Sequence, residues 1–405
     1  VDRSLVVVLA TVMINMMGVG MVWPILPDMV GQLAGGDVSR IAVLYGATAV
    51  AYSLMQFLCA PAMGALSDRY GRRPVMLIAL AALGLDNILI AFAPSMAWIF
   101  AGRLIGGALA STMSIAQACI ADVTPPGRRA AGFGRIGAAF GVGFILGPLV
   151  GGVLGEMSLR LPFFVAAGLS FANLALGLAF LAETLPPERR SARPLFAANP
   201  LAAVAWFGRS RPLLALGLAL FVANTAQRGL EAIWVLFTGV QYGWGAREAG
   251  MSLAVVGASF VIVQGFLVRR AVDRLGERRV VVGGFLLSAA MYVVLAFNSQ
   301  GWIGMLGILP HVLGWGMAGP ALQAVASRAA GPDEQGYLQG ATTAILGLAA
   351  ILGPALATSI FAAFTSDAAP VVFPGAWFLA GSAGLAAAAL LGLALRQLPE
   401  NRDTV

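Results

Sequence analysis

Long apolar stretches alternate with short polar breaks along almost the whole chain. The apolar runs cover approximately 5–27, 44–66, 74–93, 97–122, 130–155, 161–182, 212–238, 247–268, 279–297, 302–326, 336–362 and 372–395. A helix needs roughly 20 apolar residues to cross the hydrocarbon core, so each run predicts one membrane-spanning helix, giving spans 1 to 12. The longer runs leave room for tilt or for extension beyond the bilayer. The one long connection, 183–211, carries four Pro and five Arg and separates six spans from six. The predicted organisation is all-helical: a bundle over 1–183, a linker over 184–210 and a second bundle over 211–405.

Composition narrows the class. Of 405 residues, 59% are apolar and 11% charged; soluble domains carry about 25% charged residues. Such a chain cannot cover a water-facing surface, which excludes a soluble enzyme, a nucleic-acid-binding domain and a disordered chain. The first apolar run, from Leu5, is too long for a signal-peptide core and lacks a small-residue cleavage site, so no cleaved leader is expected. One histidine, His311, and two cysteines, Cys59 and Cys119, are too few for a zinc site or a disulfide framework. Both cysteines read as small buried hydrophobes, and no metal or cofactor is expected.

All 25 basic residues are Arg, and the formal charge is +7. In a membrane protein this excess is an orientation signal. Twenty Arg fall in the segments that share a side with the termini; only Arg40, Arg160 and Arg247 fall on the other. The positive-inside rule then places both termini and the central linker in the cytoplasm. The chain also repeats itself. Asp68-Arg69-Tyr70-Gly71 after span 2 recurs as Asp273-Arg274-Leu275-Gly276 after span 8, 205 residues later. Gly147-Pro148 in span 5 recurs as Gly353-Pro354 in span 11, 206 residues later. Parallel six-span repeats describe one large transporter architecture.

The loop after span 2 reads Gly64-Ala65-Leu66-Ser67-Asp68-Arg69-Tyr70-Gly71-Arg72-Arg73-Pro74. Gly71 permits a tight reversal between helices. The three Arg hold the loop on the cytoplasmic side, and Asp68 can accept from Arg or from a helix N-terminus. This stretch resembles a signature of the major facilitator superfamily. Gly143, Gly147, Pro148, Gly151 and Gly152 in span 5 resemble the motif of its drug/proton antiporters. Glycines four apart offer a smooth face for a close helix neighbour, and Pro148 lets the helix bend. Met17-Gly18-Val19-Gly20, Pro24-Ile25-Leu26-Pro27, Ala121-Asp122 with Arg129, Trp234-Val235-Leu236-Phe237-Thr238 and Pro320-Ala321-Leu322-Gln323 extend the likeness to the tetracycline efflux antiporters.

An ionisable residue inside a span costs about 2.5–3.5 kcal/mol and marks a functional site by default. There are four. Asp86 lies about 12 residues into span 3 and Arg103 about 6 into span 4, which runs the other way; at ~1.5 Å per residue their depths differ by a few Å. Arg228 and Glu231 in span 7 are three apart and share a helix face. Asp86 and Arg103 also match a span-3 acid and a span-4 Arg of the tetracycline antiporters. The expected proton-coupling set is therefore Asp86, Arg103, Glu231 and Arg228. Burial favours a neutral carboxyl and a nearby guanidinium favours the charged form, so separating the first pair could load or unload a proton. Departures from the family pattern count against tetracycline itself as the substrate. Asn15 replaces a span-1 acid, 279–297 holds no acid, and Phe260 stands where a span-8 His is expected.

Polar residues near mid-span are expected to line a cavity between the two halves: Asn15, Tyr52, Gln56, Asn87, Gln117, Asn224, Gln227, Gln264, His311 and Gln323. Trp234 and Trp315, with Met13, Met16 and Met55, would supply apolar walls. Gly64, Asp68, Arg69, Gly71, Arg72, Arg73, Asp122 and Arg129 are expected to form a cytoplasmic gate. The combined reading is a monomeric twelve-span secondary transporter of the bacterial inner membrane. It exports amphipathic or hydrophobic small molecules against protons by alternating access, with the lipid bilayer as its other partner and no nucleic acid. No nucleotide-binding motif is present. The alternatives are an exporter of an endogenous lipid or metabolite and, in another class, a non-transporting membrane receptor or scaffold.

Overall fold

The computed structural model describes residues 3–125, 129–191, 204–329 and 334–394. Among these residues the secondary structure is helical, and twelve helices are long and apolar enough to cross a membrane. They are Leu5–Val22, Val38–Tyr70, Arg72–Ala91, Met96–Val123, Ala131–Met157, Leu161–Phe180, Arg211–Tyr242, Ala246–Leu275, Glu277–Phe297, Gly301–Ala329, Gln335–Thr365 and Ala376–Leu393. They fall on the twelve predicted runs and are numbered as spans 1 to 12 in the same order.

The ends follow local chemistry. Span 2 runs well past its apolar run on both sides because polar caps hold its outer turns. The Asp37 carboxylate accepts from the Arg40 N–H at 2.9 Å, and Gly71 ends the helix at φ 107°. A cap of the Asp37 kind contributes about 1 kcal/mol. Span 7 starts at Ser210, whose hydroxyl accepts from the Leu213 N–H, and stops at left-handed Gly243. The repeated loops share one backbone solution: Gly71 and Gly276 both sit at positive φ, 107° and 76°.

Four differences from the expectations stand out. Span 1 stops at Val22 rather than continuing to 27, because Pro24 disfavours helix at the residue before it; a separate short helix, Leu26–Ala34, follows. Span 4 is not continuous. It consists of Met96–Ala108 and Thr112–Val123, with a break between them. Span 8 contains a π-helical turn, Val263–Leu267, which widens it around Gln264. Cys119 is buried as expected, but Cys59 is only partly so.

The chain forms two compact units: Val1–Ala198 with Trp244–Ala258, and Asn199–Gly243 with Ser259–Val405. The core of the first gathers Val8, Val12, Met63, Met76, Leu80, Ile115, Cys119 and Ile136 from spans 1 to 5. The core of the second is aromatic. Phe237 and Phe378 meet edge-on at 4.6 Å, and Tyr292 meets Phe378 at 5.6 Å.

Candidate functional site

The first unit places Asp86 of span 3 against Arg103 of span 4, with Nη2 donating to Oδ2 at 2.5 Å. The Asp86 side chain is 0% exposed and that of Arg103 14%. Two glycines one turn apart on span 4 make the space. A methyl group at Gly102 would sit 2.6 Å from Asp86 Oδ1, and one at Gly106 would sit 2.6 Å from Oδ2. Span 2 closes the site. The Arg103 guanidinium lies 5.4 Å from the centroid of the Tyr52 ring, within cation–π range. Next to it, the Tyr52 backbone presses directly on Gly107. Gln56, one turn beyond Tyr52, donates to the Ala110 carbonyl at 3.4 Å, inside the break of span 4. That carbonyl has no helical partner, and the amide supplies one. Asp86 Oδ1 and Arg103 Nε are buried without a partner. The pair is thus under-satisfied. Gly102, Gly106 and Gly107 escaped the sequence reading, although glycines four apart around Arg103 were visible in it.

In the second unit, Arg228 Nη1 donates to Glu231 Oε2 at 2.8 Å within span 7. Gln227 Nε2 donates to the other Glu231 oxygen at 3.3 Å. Span 11 crosses span 7 here. Gly353 faces the Arg228 Cβ, the Thr225 carbonyl and the Gly229 N–H.

The Gly64–Arg73 segment, expected as a loop, is the end of span 2 and the start of span 3 joined through Gly71 alone, and it carries a charge cluster within the first unit. Arg72 bonds Asp68 at 2.5 Å and Asp122 at 3.0 Å. Its neighbour Arg69 is exposed, lying over Tyr70, and Gly64 is partly buried. Glu183, after span 6, was not anticipated. It accepts from the Arg72 N–H at 2.8 Å and the Arg73 N–H at 3.2 Å, capping span 3. Arg73 also donates to the Leu178 carbonyl at 2.8 Å. A side chain at Gly71 would collide with the Glu183 carboxylate, so that glycine is needed for its neighbour as well as for its φ. The Arg129 side chain lies outside the described residues.

The span-5 glycines pack on two sides. Gly143, Gly147 and Gly151 meet the backbone of span 1 at Met13, Met17 and Met21, while Gly152 meets Ala246 and Arg247 at the start of span 8. Pro148 packs on Gly20, and its carbonyl faces Gly250. This second contact is why the first turns of span 8 belong with the first unit.

The remaining polar residues divide by exposure. Asn15, Asn87, Gln227, His311 and Trp234 are buried; Tyr52, Asn224 and Trp315 are partly buried. Asn87 and Asn224 each donate to a carbonyl one turn back, Leu83 at 2.9 Å and Leu220 at 2.8 Å. His311 packs on Tyr292 with ring centroids 5.3 Å apart. Gln56, Gln117, Gln264 and Gln323 are exposed at mid-span. Among the described residues no three His, Cys, Asp or Glu are placed to hold a metal ion.

Twelve spans, a six-plus-six repeat and charges buried at membrane depth define an integral membrane protein built to move small molecules. The sequence profile of the Major Facilitator Superfamily matches residues 8–354 and again 216–405. The chain is 39% identical over 365 residues to the class C tetracycline resistance protein of Escherichia coli, covering 90% of this chain and 91% of that one. It is 36% identical over 360 residues to the class G tetracycline resistance protein of Vibrio anguillarum, covering 89% and 91%. Among solved structures, the human organic anion transporter MFSD10 (TETRAN) matches with a TM-score of 0.71 at 25% identity, covering 96% of this chain and 99% of that one. The chain belongs to the Major Facilitator Superfamily. It has that superfamily's twelve-helix fold and is a membrane transporter of small molecules.

Proposed function

We propose that this protein exports amphipathic or hydrophobic drugs in exchange for protons, and that Asp86 carries the coupling proton. The observation behind this is the Asp86–Arg103 pair, with a carboxylate shut in a glycine notch and one of its oxygens unpartnered. Removing one member of a buried ion pair costs about 3–5 kcal/mol, so the pair responds strongly to protonation. A proton on Asp86 cancels its attraction to Arg103 and frees span 3 to move on span 4. The break at Leu109–Ser111 gives span 4 a place to flex. The relatives are named for tetracycline resistance, which favours drug export over export of a lipid or metabolite and over a scaffold. Asn15 in place of an acid argues for a substrate other than tetracycline. The Arg asymmetry supports cytoplasmic termini in a bacterial inner membrane, and we take the working unit as a monomer.

The test is transport by purified protein in proteoliposomes under an imposed pH gradient, across a drug panel that includes tetracycline. Asp86→Asn should abolish gradient-driven movement and leave gradient-independent exchange of the same compound. Normal pumping by that variant would remove Asp86 from the coupling step.

A further inference from the structure

The four charges within the spans differ sharply in access. Asp86 and Arg103 are closed off, but the Arg228 side chain is 48% exposed and that of Glu231 25%. Arg228 is 17 residues along the 32-residue helix Arg211–Tyr242. At ~1.5 Å per residue it lies within a few Å of that helix's midpoint. A guanidinium so deep does not face lipid chains; it faces protein or a water-filled space. Its exposed part therefore meets water and whatever that water carries.

The bonding of the pair is lopsided. Both Glu231 oxygens are engaged, one by Arg228 and one by Gln227. A guanidinium carries five N–H donors in a planar fork. Among the described residues Arg228 spends one of them, on Glu231 Oε2. Each oxygen of the acid has a partner, while most donors of the base have none among the described residues. The stem of Arg228 is also anchored, because Gly353 of span 11 packs on its Cβ. The fork is held from behind and open in front.

We propose that Arg228 is the substrate-recognising cation of this transporter, and that the compounds it exports carry a carboxylate or a similar planar oxyanion seated on the unused N–H donors. A planar oxyanion matches the guanidinium fork in two parallel hydrogen bonds, which an ammonium cannot offer. Glu231 holds the other edge of the guanidinium in place and, by its charge, keeps binding weak enough for release. The proposal rests on the export reading above and adds the charge class of the substrate.

Two experiments separate the proposal from that reading. The first is equilibrium dialysis of the detergent-solubilised full chain against 1-naphthaleneacetate, its methyl ester and tetraphenylphosphonium. The carboxylate should bind about tenfold tighter than the ester, as one charge-assisted recognition site provides. Arg228→Gln should erase that preference, Arg228→Lys should keep part of it, and Glu231→Gln should tighten carboxylate binding. The proposal is overturned if the wild-type protein binds the ester or tetraphenylphosphonium as tightly as the carboxylate, or binds no carboxylate. Loss of both carboxylate and ester in an Arg228→Gln protein that melts at the wild-type temperature would overturn it equally. The wild-type preference needs no variant, so a poorly folding mutant does not remove the test. The second is pH-gradient-driven movement of the same three probes in proteoliposomes. Pumping of the ester or the cation without carboxylate preference sinks the Arg228 proposal and keeps the export reading; pumping of none of the three sinks the Arg228 proposal, and the export reading falls with it only if the drug panel is not moved either.

Discussion

Replacing Gly106 by alanine tests whether the notch around Asp86 holds the ion pair. The added methyl carbon would lie 2.6 Å from Asp86 Oδ2 and 3.0 Å from its Cγ. Ordinary carbon contacts in packed proteins are about 3.5–4.0 Å, so the carboxylate has to retreat by close to an ångström. It has nowhere easy to go, because Gly102 walls the other oxygen and the residue is fully buried. Overpacking of this kind costs about 1–3 kcal/mol. Gly→Ala within a helix returns up to about 1 kcal/mol. If the methyl only strains the site, the net loss is about 0–2 kcal/mol. If it breaks the bond from Arg103, the cost moves toward the 3–5 kcal/mol of a broken buried pair. Gly168 in span 6 is the control, since a methyl there meets nothing within 4 Å. Thermal unfolding of the purified proteins and gradient-driven transport would both be read. Gly106→Ala should lower the melting temperature, by several degrees if the loss reaches about 1–2 kcal/mol, and should reduce gradient-driven transport. Gly168→Ala should leave both unchanged or slightly raise the melting temperature. Equal behaviour of the two variants would refute the notch.

Gly71→Ala should destabilise the protein by about 1–3 kcal/mol, because it combines strained backbone with a clash against Glu183. Glu183→Gln should cost about 1 kcal/mol or more by weakening the cap on span 3. Chemical unfolding in detergent measures both, and a Gly71→Ala protein as stable as wild type would show that Glu183 moves aside freely. Gly147→Val should push span 5 off span 1, where Met17 and Gly20 leave no room for a side chain. Cysteine cross-linking between the two spans should then fall with transport, and unchanged cross-linking would refute the close crossing.

Much of this was legible because the bilayer imposes one rule on every span. Backbone groups must be satisfied within the helix and the outside must be apolar, so run length reads directly as span number. The charged pairs were legible for the same reason: a charge at that depth needs a partner, and few were on offer. What the pattern did not show depends on contacts between distant segments. Gly102 and Gly106 look like any small residues until Asp86 is set against them. Glu183 lies 111 residues from the N–H it caps. The break in span 4 carries no proline to announce it, and the Gln56 amide that satisfies it comes from span 2. Hydropathy is blind to such a break, because Leu109 and Ala110 are as apolar as their neighbours.

The internal repeat acquires a physical meaning from the two glycine–proline pairs. Each lies in the fifth span of its half and packs on the first. Gly147 meets the backbone of span 1 at Met17 and Gly20, and Gly353 meets that of span 7 at Thr225 and Gly229. The same crossing therefore carries different cargo in the two units. In the first it joins Met and Gly, and the functional acid sits elsewhere, sealed between spans 3 and 4. In the second it carries Arg228 and exposes it. A proton needs no open pocket, since it can reach a buried carboxylate by a brief local movement; a drug needs a surface that is already accessible. On the proposed reading, that difference gives the closed pair of the first unit to the proton and the open guanidinium of the second to the substrate.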